Sequence, residues 1–93
     1  MVSDSNLRKA LEPGSLGLPN RPKVVEIRAS PYIDSLGDRE LLVLVILDES
    51  TSSEDRTWTR LRPIYDAIHG RLREIEGAPY PYVRFRKLSE LAS

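Results

Sequence analysis

His69 is the only histidine in this 93-residue chain, and it is the first candidate for acid–base chemistry. It follows Tyr65 by one helical turn, in a segment that also holds Trp58 and Arg62. A general base needs an orienting carboxylate and a nucleophile within hydrogen-bond reach, and the spacing places neither beside His69. The pattern favours a histidine at the core boundary that packs on Tyr65. We therefore expect no catalytic residue and no enzymatic activity.

A short acidic segment follows the most apolar stretch of the chain. Its carboxylates could offer oxygen ligands to Mg²⁺ or Ca²⁺, but their spacing matches no EF-hand loop, and the pattern favours a solvated loop that caps a helix. The five glycines form no phosphate-binding loop and no serine sits in a nucleophile elbow. We expect neither a metal nor a cofactor. The carboxylates are those of Asp48, Glu49, Glu54 and Asp55.

Cations and aromatic rings alternate near the C-terminus. Surfaces that bind single-stranded nucleic acid pair cations with stacking platforms in this way, and tyrosine and arginine are also the common anchors of protein interfaces. The alternating residues are Tyr80, Tyr82, Arg84, Phe85, Arg86 and Lys87.

The composition narrows the class of protein. The chain is 40% hydrophobic and 30% charged and contains no cysteine, which is typical of one small folded domain without disulfides or thiolate metal sites. No apolar targeting region follows Met1, and the longest apolar run, 41–47, is too short to cross a bilayer. We expect a cytoplasmic domain that does not bind membranes.

Formal charge is zero overall but unevenly distributed along the chain. Residues 1–55 carry an excess of acidic side chains, and residues 56–93 carry an equal excess of basic ones. The basic half could face an acidic partner or nucleic acid. Alternatively, the two halves neutralise each other in the fold.

Three segments are predicted from the pattern of breakers and apolar residues. Residues 1–22 form an N-terminal segment with a short helix that ends at Pro13-Gly14, followed by a Pro/Gly linker. Residues 23–88 form the domain, and 89–93 form a fraying tail.

The domain is predicted to begin with a β-hairpin. Val25, Ile27 and Ala29 alternate with polar residues in a first strand that runs to about Ser30, and Pro31 places this strand at a sheet edge. The second strand, 40–47, is apolar on both faces and belongs in the centre. Because its aliphatic run is unbroken, the sequence does not indicate which residues face the helix.

A long amphipathic helix is predicted next. Its apolar stripe includes Trp58 and Tyr65 at 3.6-residue spacing and ends before Gly77. Pro63 interrupts it, so the helix either begins near Arg60 after a separate turn or begins near Glu54 and kinks; the stripe favours the kink.

The last strand, 80–88, must run parallel to the second, because a right-handed helical crossover joins them. The predicted fold is α+β, with strands and helix in the order β-β-α-β, a three-stranded sheet in order 1-2-3, and two layers. Val25, Ile27, Val83 and Phe85 would face the helix.

The opposite face of the sheet has no predicted helical cover. Its exposed aliphatic residues must be covered by the N-terminal segment, by a second copy of the chain or by another partner. The leading hypothesis is a small protein-interaction module, a homodimer or a binder of another protein. Its predicted binding residues are Arg28, Tyr82, Arg84 and Arg86.

The order helix, strand, strand, kinked helix, strand over residues 4–88 resembles the layout of type II KH domains. That resemblance implies RNA binding as an alternative function. The family clamps backbone nucleotides with a GxxG loop, whereas residues 68–73 of this chain hold only Gly70. The resemblance therefore covers the topology and no motif.

Overall fold

A computed structural model describes residues 4–91 of the chain. Two single turns of 3₁₀ helix, Pro13–Ser15 and Glu54–Arg56, precede β1 and α2 respectively. The main elements are α1 (Asp4–Ala10), β1 (Val24–Ile33), β2 (Arg39–Leu47), α2 (Trp58–Arg73), β3 (Tyr80–Lys87) and α3 (Leu88–Leu91).

The three strands form one mixed sheet in the order β1-β2-β3. β1 and β2 pair antiparallel through the turn at 34–38, where Gly37 has a φ of 85°. β2 and β3 pair parallel, since α2 carries the chain back to the starting edge. The predicted α+β fold, with its central second strand and parallel third strand, is confirmed.

The odd-numbered residues of β2 face the helices. Val43 and Val45 are fully buried, and Leu41 and Leu47 nearly so. They pack in one cluster with the apolar stripe of α2, which consists of Leu61, Ile64, Ile68 and Leu72. The unbroken aliphatic run did not indicate which residues of β2 face the helix. Packing against α2 decides this.

β1 differs from the prediction at both ends. It continues through Pro31 to Ile33, because an edge strand tolerates a residue without an N–H group. At its start, the register shifts between Val24 and Glu26, as in a β-bulge. Val24 therefore packs on the core, while Val25, which was predicted to face the helix, is 49% exposed.

α2 follows a separate turn and begins two residues before Arg60, so the favoured prediction of one kinked helix from Glu54 is wrong and the alternative start near Arg60 is close. The turn Glu54–Arg56 is separated from it by Thr57, whose extended backbone (ψ 154°) prevents one continuous helix. The helix starts at Trp58 and ends at Arg73, so Pro63 lies inside its second turn. Trp58 was predicted in the buried stripe, but at the first helical position it is 55% exposed.

The N-terminal segment packs on the same face of the sheet as α2. Leu7 and Leu11 are buried in the main core cluster, with Leu16 and Leu18 packed against it. Arg71 of α2 donates to the backbone carbonyl of Ala10 at 3.3 Å and to that of Ser15 at 2.8 Å. These contacts build one helical layer and leave the other face of the sheet without α1 or α2.

The first residues of the tail that was predicted for 89–93 are helical. Residues 88–91 form the single turn α3, and residues 92–93 of the predicted tail lie outside the described residues. Glu90 accepts the Lys87 amide N–H at 2.6 Å, and Glu49 accepts the Ser89 N–H at 3.0 Å. Acidic side chains thus bind the free amides at the start of α3.

Candidate interaction surface

The even-numbered residues of β2 and their strand partners make up the second face of the sheet, here called the open face. Residues that are directly paired across neighbouring strands share a face, so the registers divide the open face into four rows. From one end to the other these rows are Tyr32–Glu40–Tyr80, Ser30–Leu42–Tyr82, Arg28–Leu44–Arg84 and Glu26–Ile46–Arg86.

The centre of the open face is aliphatic. Leu42 and Leu44 lie side by side on β2 and are half-buried, whereas Ile46 at the end of the strand is 2% exposed. Neither α1 nor α2 contributes to this face, because both pack against the odd-numbered side. Two central leucines are therefore left partly accessible to water between two exposed strands.

Two tyrosine rings meet above β2. Tyr32 stands on β1 and Tyr82 on β3, yet their ring centroids are 6.4 Å apart and the ring planes lie at 83°. The outer strands are about 9.6 Å apart, twice the strand spacing, so the rings lean toward each other over the middle strand. Glu40 is the strand partner of Tyr32 in the adjoining row, and the two tyrosines remain 49% and 47% exposed.

The environment of the Glu40 carboxyl group disfavours its charged form. Burial is the main cause that raises its pKa, and the neighbouring Asp34 carboxylate raises it further. The charge of Glu40 in turn is the main cause of the raised pKa of Tyr82. Glu40 Oε2 is buried and has no hydrogen-bond partner among the described residues. A hydrogen bond with Tyr82 partly offsets the rise in the pKa of Glu40, and no cation is among the groups that shift it.

A pocket of about 520 Å³ opens beside the two rings. Its walls include both tyrosines, Asp34 and Leu36 of the hairpin turn, and Leu42 and Arg84 of the sheet. Asp34 Oδ1 accepts the backbone N–H groups of Leu36 and Asp38, both at 2.9 Å, which fixes the turn. The pocket thus combines two perpendicular aromatic walls with a carboxylate held by the backbone.

The arginines occupy the opposite end of the open face. Arg28 forms an ion pair with Glu26 on the same strand. Arg86 donates to the Phe85 carbonyl at 2.7 Å. Arg84 is exposed, and its side chain makes no hydrogen bond or ion pair with any residue that the structure describes.

All four residues predicted to bind a partner lie on the open face. Arg28 and Arg84 share a row on either side of Leu44, and Tyr82 and Arg86 lie on β3 beside them. Tyr32, Asp34 and Glu40 belong to the same surface but were not predicted. Tyr32 continues the alternation of the first strand; ending that strand before Pro31 concealed this signal.

His69 lies at the edge of a second cavity, of about 600 Å³, between α2 and the start of β3. Its ring is 4.1 Å from the Tyr65 ring and 5.7 Å from the Tyr80 ring, measured between centroids. Burial, and secondarily the charge of Arg73, lower the pKa of His69. Its Nε2 atom is buried without a hydrogen-bond partner among the described residues. The predicted stacking on Tyr65 is present, and no carboxylate orients the imidazole through Nε2.

The acidic loop binds protein groups. Asp48 accepts the Ser50 N–H at 2.9 Å, and Glu49 accepts the Ser89 hydroxyl at 2.6 Å. Asp55 is buried and accepts two hydrogen bonds from the Arg21 guanidinium, each 3.2 Å long. Across residues 4–91, no group of three or more acidic or histidine side chains is arranged to hold a metal ion.

Comparison of the chain with protein-family models, with curated proteins and with solved structures finds no match. The segment that was compared with the KH loop, residues 68–73, is helical, and Gly70 lies inside α2. Within the described part of the chain, no helix combines the length and the apolar character that are needed to span a bilayer.

Proposed function

We propose that the protein is a small non-enzymatic interaction module that self-associates through its open face. The observation that carries this proposal is the accessible pair Leu42 and Leu44, bordered by exposed tyrosine and by the unpaired Arg84. Aromatic and arginine side chains around an apolar centre are the usual composition of an interface core. Contacts with a partner would also remove the remaining apolar surface from water.

The distribution of charge supports a second copy as the partner. One end of the open face is acidic, through Glu40 with Asp34 and Asp38 of the adjoining turn. The other end is basic, since Arg84 and Arg86 add to an Arg28–Glu26 pair that is itself neutral. A surface with an acidic end and a basic end complements itself when one copy is turned end over end, and dimers with two-fold symmetry use such self-complementary patches.

His69, considered for acid–base chemistry, and the loop carboxylates, considered as metal ligands, have other contacts. His69 packs between two tyrosine rings, and the loop carboxylates bind backbone amides, a hydroxyl and a guanidinium. Interaction, and not chemistry, is therefore the function that the geometry favours.

The test compares two neighbouring residues of β2 that face opposite sides of the sheet. Leu44→Glu places a charge on the open face; we expect a folded chain whose dimer dissociates about 100-fold more readily. Val45 is fully buried among the helices, so Val45→Glu buries an unpaired charge and should unfold the domain. Light scattering over a range of protein concentrations measures association, and circular dichroism measures folding.

Ile33→Glu is the matched control, because Ile33 is 66% exposed and pairs with Arg39, an odd-numbered residue of β2 on the side of the sheet opposite the open face. We expect it to leave the dimer of two 10.6 kDa chains intact. A wild-type chain that stays monomeric at every concentration, or a dimer that Leu44→Glu does not weaken, contradicts the proposal.

A further inference from the structure

We infer that the pocket between Tyr32 and Tyr82 is a guanidinium-binding subsite, and that its ligand is Arg84 of a second copy of this chain. The inference rests on the proposed self-association and specifies its geometry. It starts from three observations: two perpendicular rings, the neighbouring carboxyl groups of Asp34 and Glu40, and an arginine in the pocket wall without a partner among the described residues.

Symmetry limits how two open faces can meet. Facing sheets related by a two-fold axis require that axis to lie in the plane of the interface, and the two packings with aligned strands place it along the strands or across them. When the axis runs along the strands, each row lies over the same row of the other copy, with β1 over β3. Arg84 of one copy then lies over Arg28 of the other, and four arginines gather in one layer. Like charges at that distance repel, so this arrangement is disfavoured.

An axis across the strands avoids this repulsion. When it passes between Leu42 and Leu44, the Ser30–Leu42–Tyr82 row of each copy lies over the Arg28–Leu44–Arg84 row of the other. The leucines then pack leucine on leucine at the centre. Arg84 lies over Tyr82 of the opposite copy, with the acidic end of that copy close by.

The chemistry of the pocket fits a guanidinium. A planar guanidinium stacks on an aromatic face and is less strongly hydrated than an ammonium. The carboxyl groups of Asp34 and of the half-buried Glu40 would supply the opposite charge. Arg84 is part of the wall of its own pocket, and the end-over-end arrangement brings it over Tyr82 in the pocket of the partner.

A mixing experiment tests this reciprocal contact. Tyr82→Ala removes the pocket, and Arg84→Ala removes the ligand, so neither homodimer retains a contact. A mixture of the two variants forms a heterodimer with one intact contact, because the Arg84 variant keeps its pocket and the Tyr82 variant keeps its arginine. We expect each homodimer to be about 100-fold weaker than wild type, and the heterodimer to be about tenfold tighter than either.

Sedimentation equilibrium of each variant and of the equimolar mixture gives the three dissociation constants. Tyr32→Leu serves as a second pocket variant should Tyr82→Ala fail to fold, and Arg60→Ala on the outer helical layer controls for loss of an arginine. A wild-type dimer with no tightening in the mixture overturns the arginine subsite while leaving self-association standing. A monomeric wild-type chain overturns both.

Arg84→Lys separates stacking from charge. A lysine keeps the positive charge but lacks the planar group, so we expect it to restore less than half of the affinity lost in Arg84→Ala, on a logarithmic scale. Full restoration by lysine would show that charge alone holds the contact and would contradict a guanidinium subsite.

Discussion

Glu90 shows how one exposed side chain can hold the end of the chain in place. Its carboxylate receives a 2.8 Å hydrogen bond from Arg56 and a 2.6 Å hydrogen bond from the Lys87 amide. The Arg56 hydrogen bond is the main cause that lowers the pKa of Glu90, from 4.5 to about 2. The ionised form is thus favoured in the folded state.

The lowered pKa predicts a pH-dependent difference between wild type and Glu90→Gln. Because the folded pKa lies below the unfolded value, Glu90 contributes stability above about pH 4.5, and this contribution is lost as the pH falls toward 2. We expect Glu90→Gln to lower the urea midpoint at pH 7 and to match the parent near pH 2. The screened, partly exposed ion pair keeps the difference modest.

These unfolding experiments are best made in the Leu44→Glu background, so that dissociation does not contribute to the measured stability. Glu74→Gln, at the end of α2, is the matched control. A difference that stays constant from pH 7 to pH 2 would show that hydrogen-bond geometry and not the charge of Glu90 stabilises α3.

At the level of elements, α2 contains a local conflict at Pro63. Without an N–H group, Pro63 leaves the Thr59 carbonyl without its helical donor, and the ring disfavours a regular preceding turn. Burial of Leu61, Ile64, Ile68 and Leu72 holds the helix together despite this loss.

Pro63→Ala should therefore stabilise the domain. A proline inside a helix costs about 3 kcal/mol, and releasing it increases the freedom of the unfolded chain by about 1 kcal/mol, so we expect a net gain of about 2 kcal/mol. Urea unfolding in the Leu44→Glu background measures it, with Arg60→Ala as a control in the same helix. Unchanged or lower stability would mean that the proline ring itself contributes packing.

The sequence allowed the order of the elements to be predicted, because breakers and periodicity are local signals. It did not reveal the phase of β2, since seven consecutive aliphatic residues carry no alternation. Val25 was misplaced because a bulge moves the inward position to Val24, and the register that produces it depends on β2. Packing between distant segments decided each of these features.

The open face could be predicted in part, because some of its residues follow a local alternation along one strand. Tyr82, Arg84 and Arg86 alternate within one strand and were found from the sequence alone. The pocket could not be predicted, because it depends on contact between the rings of Tyr32 and Tyr82. These residues are 50 positions apart in the chain and lie on the two strands that flank β2. Neither tyrosine predicts the other from local sequence.

At the scale of the whole molecule, the charges argue against nucleic acid as the occupant of the open face. Tyr80 and Tyr82 with Arg84 and Arg86 could stack bases and bind phosphates. However, the acidic end of the face lies beside the same tyrosines, and the chain as a whole has no net charge. A phosphate backbone that crosses all four rows would meet carboxylates over half of its path.

We therefore expect a single-stranded oligouridylate to bind no tighter than about 10⁻⁴ M at 0.15 M salt, the weak end of nonspecific binding. Fluorescence anisotropy measures this affinity for the wild type and for the double variant Arg84→Ala, Arg86→Ala. Micromolar binding that falls steeply with salt and disappears in the double variant would identify RNA as the ligand. Binding that the monomeric Leu44→Glu variant alone shows would mean that the second copy occupies the RNA site, because the two ligands would compete for the same arginines.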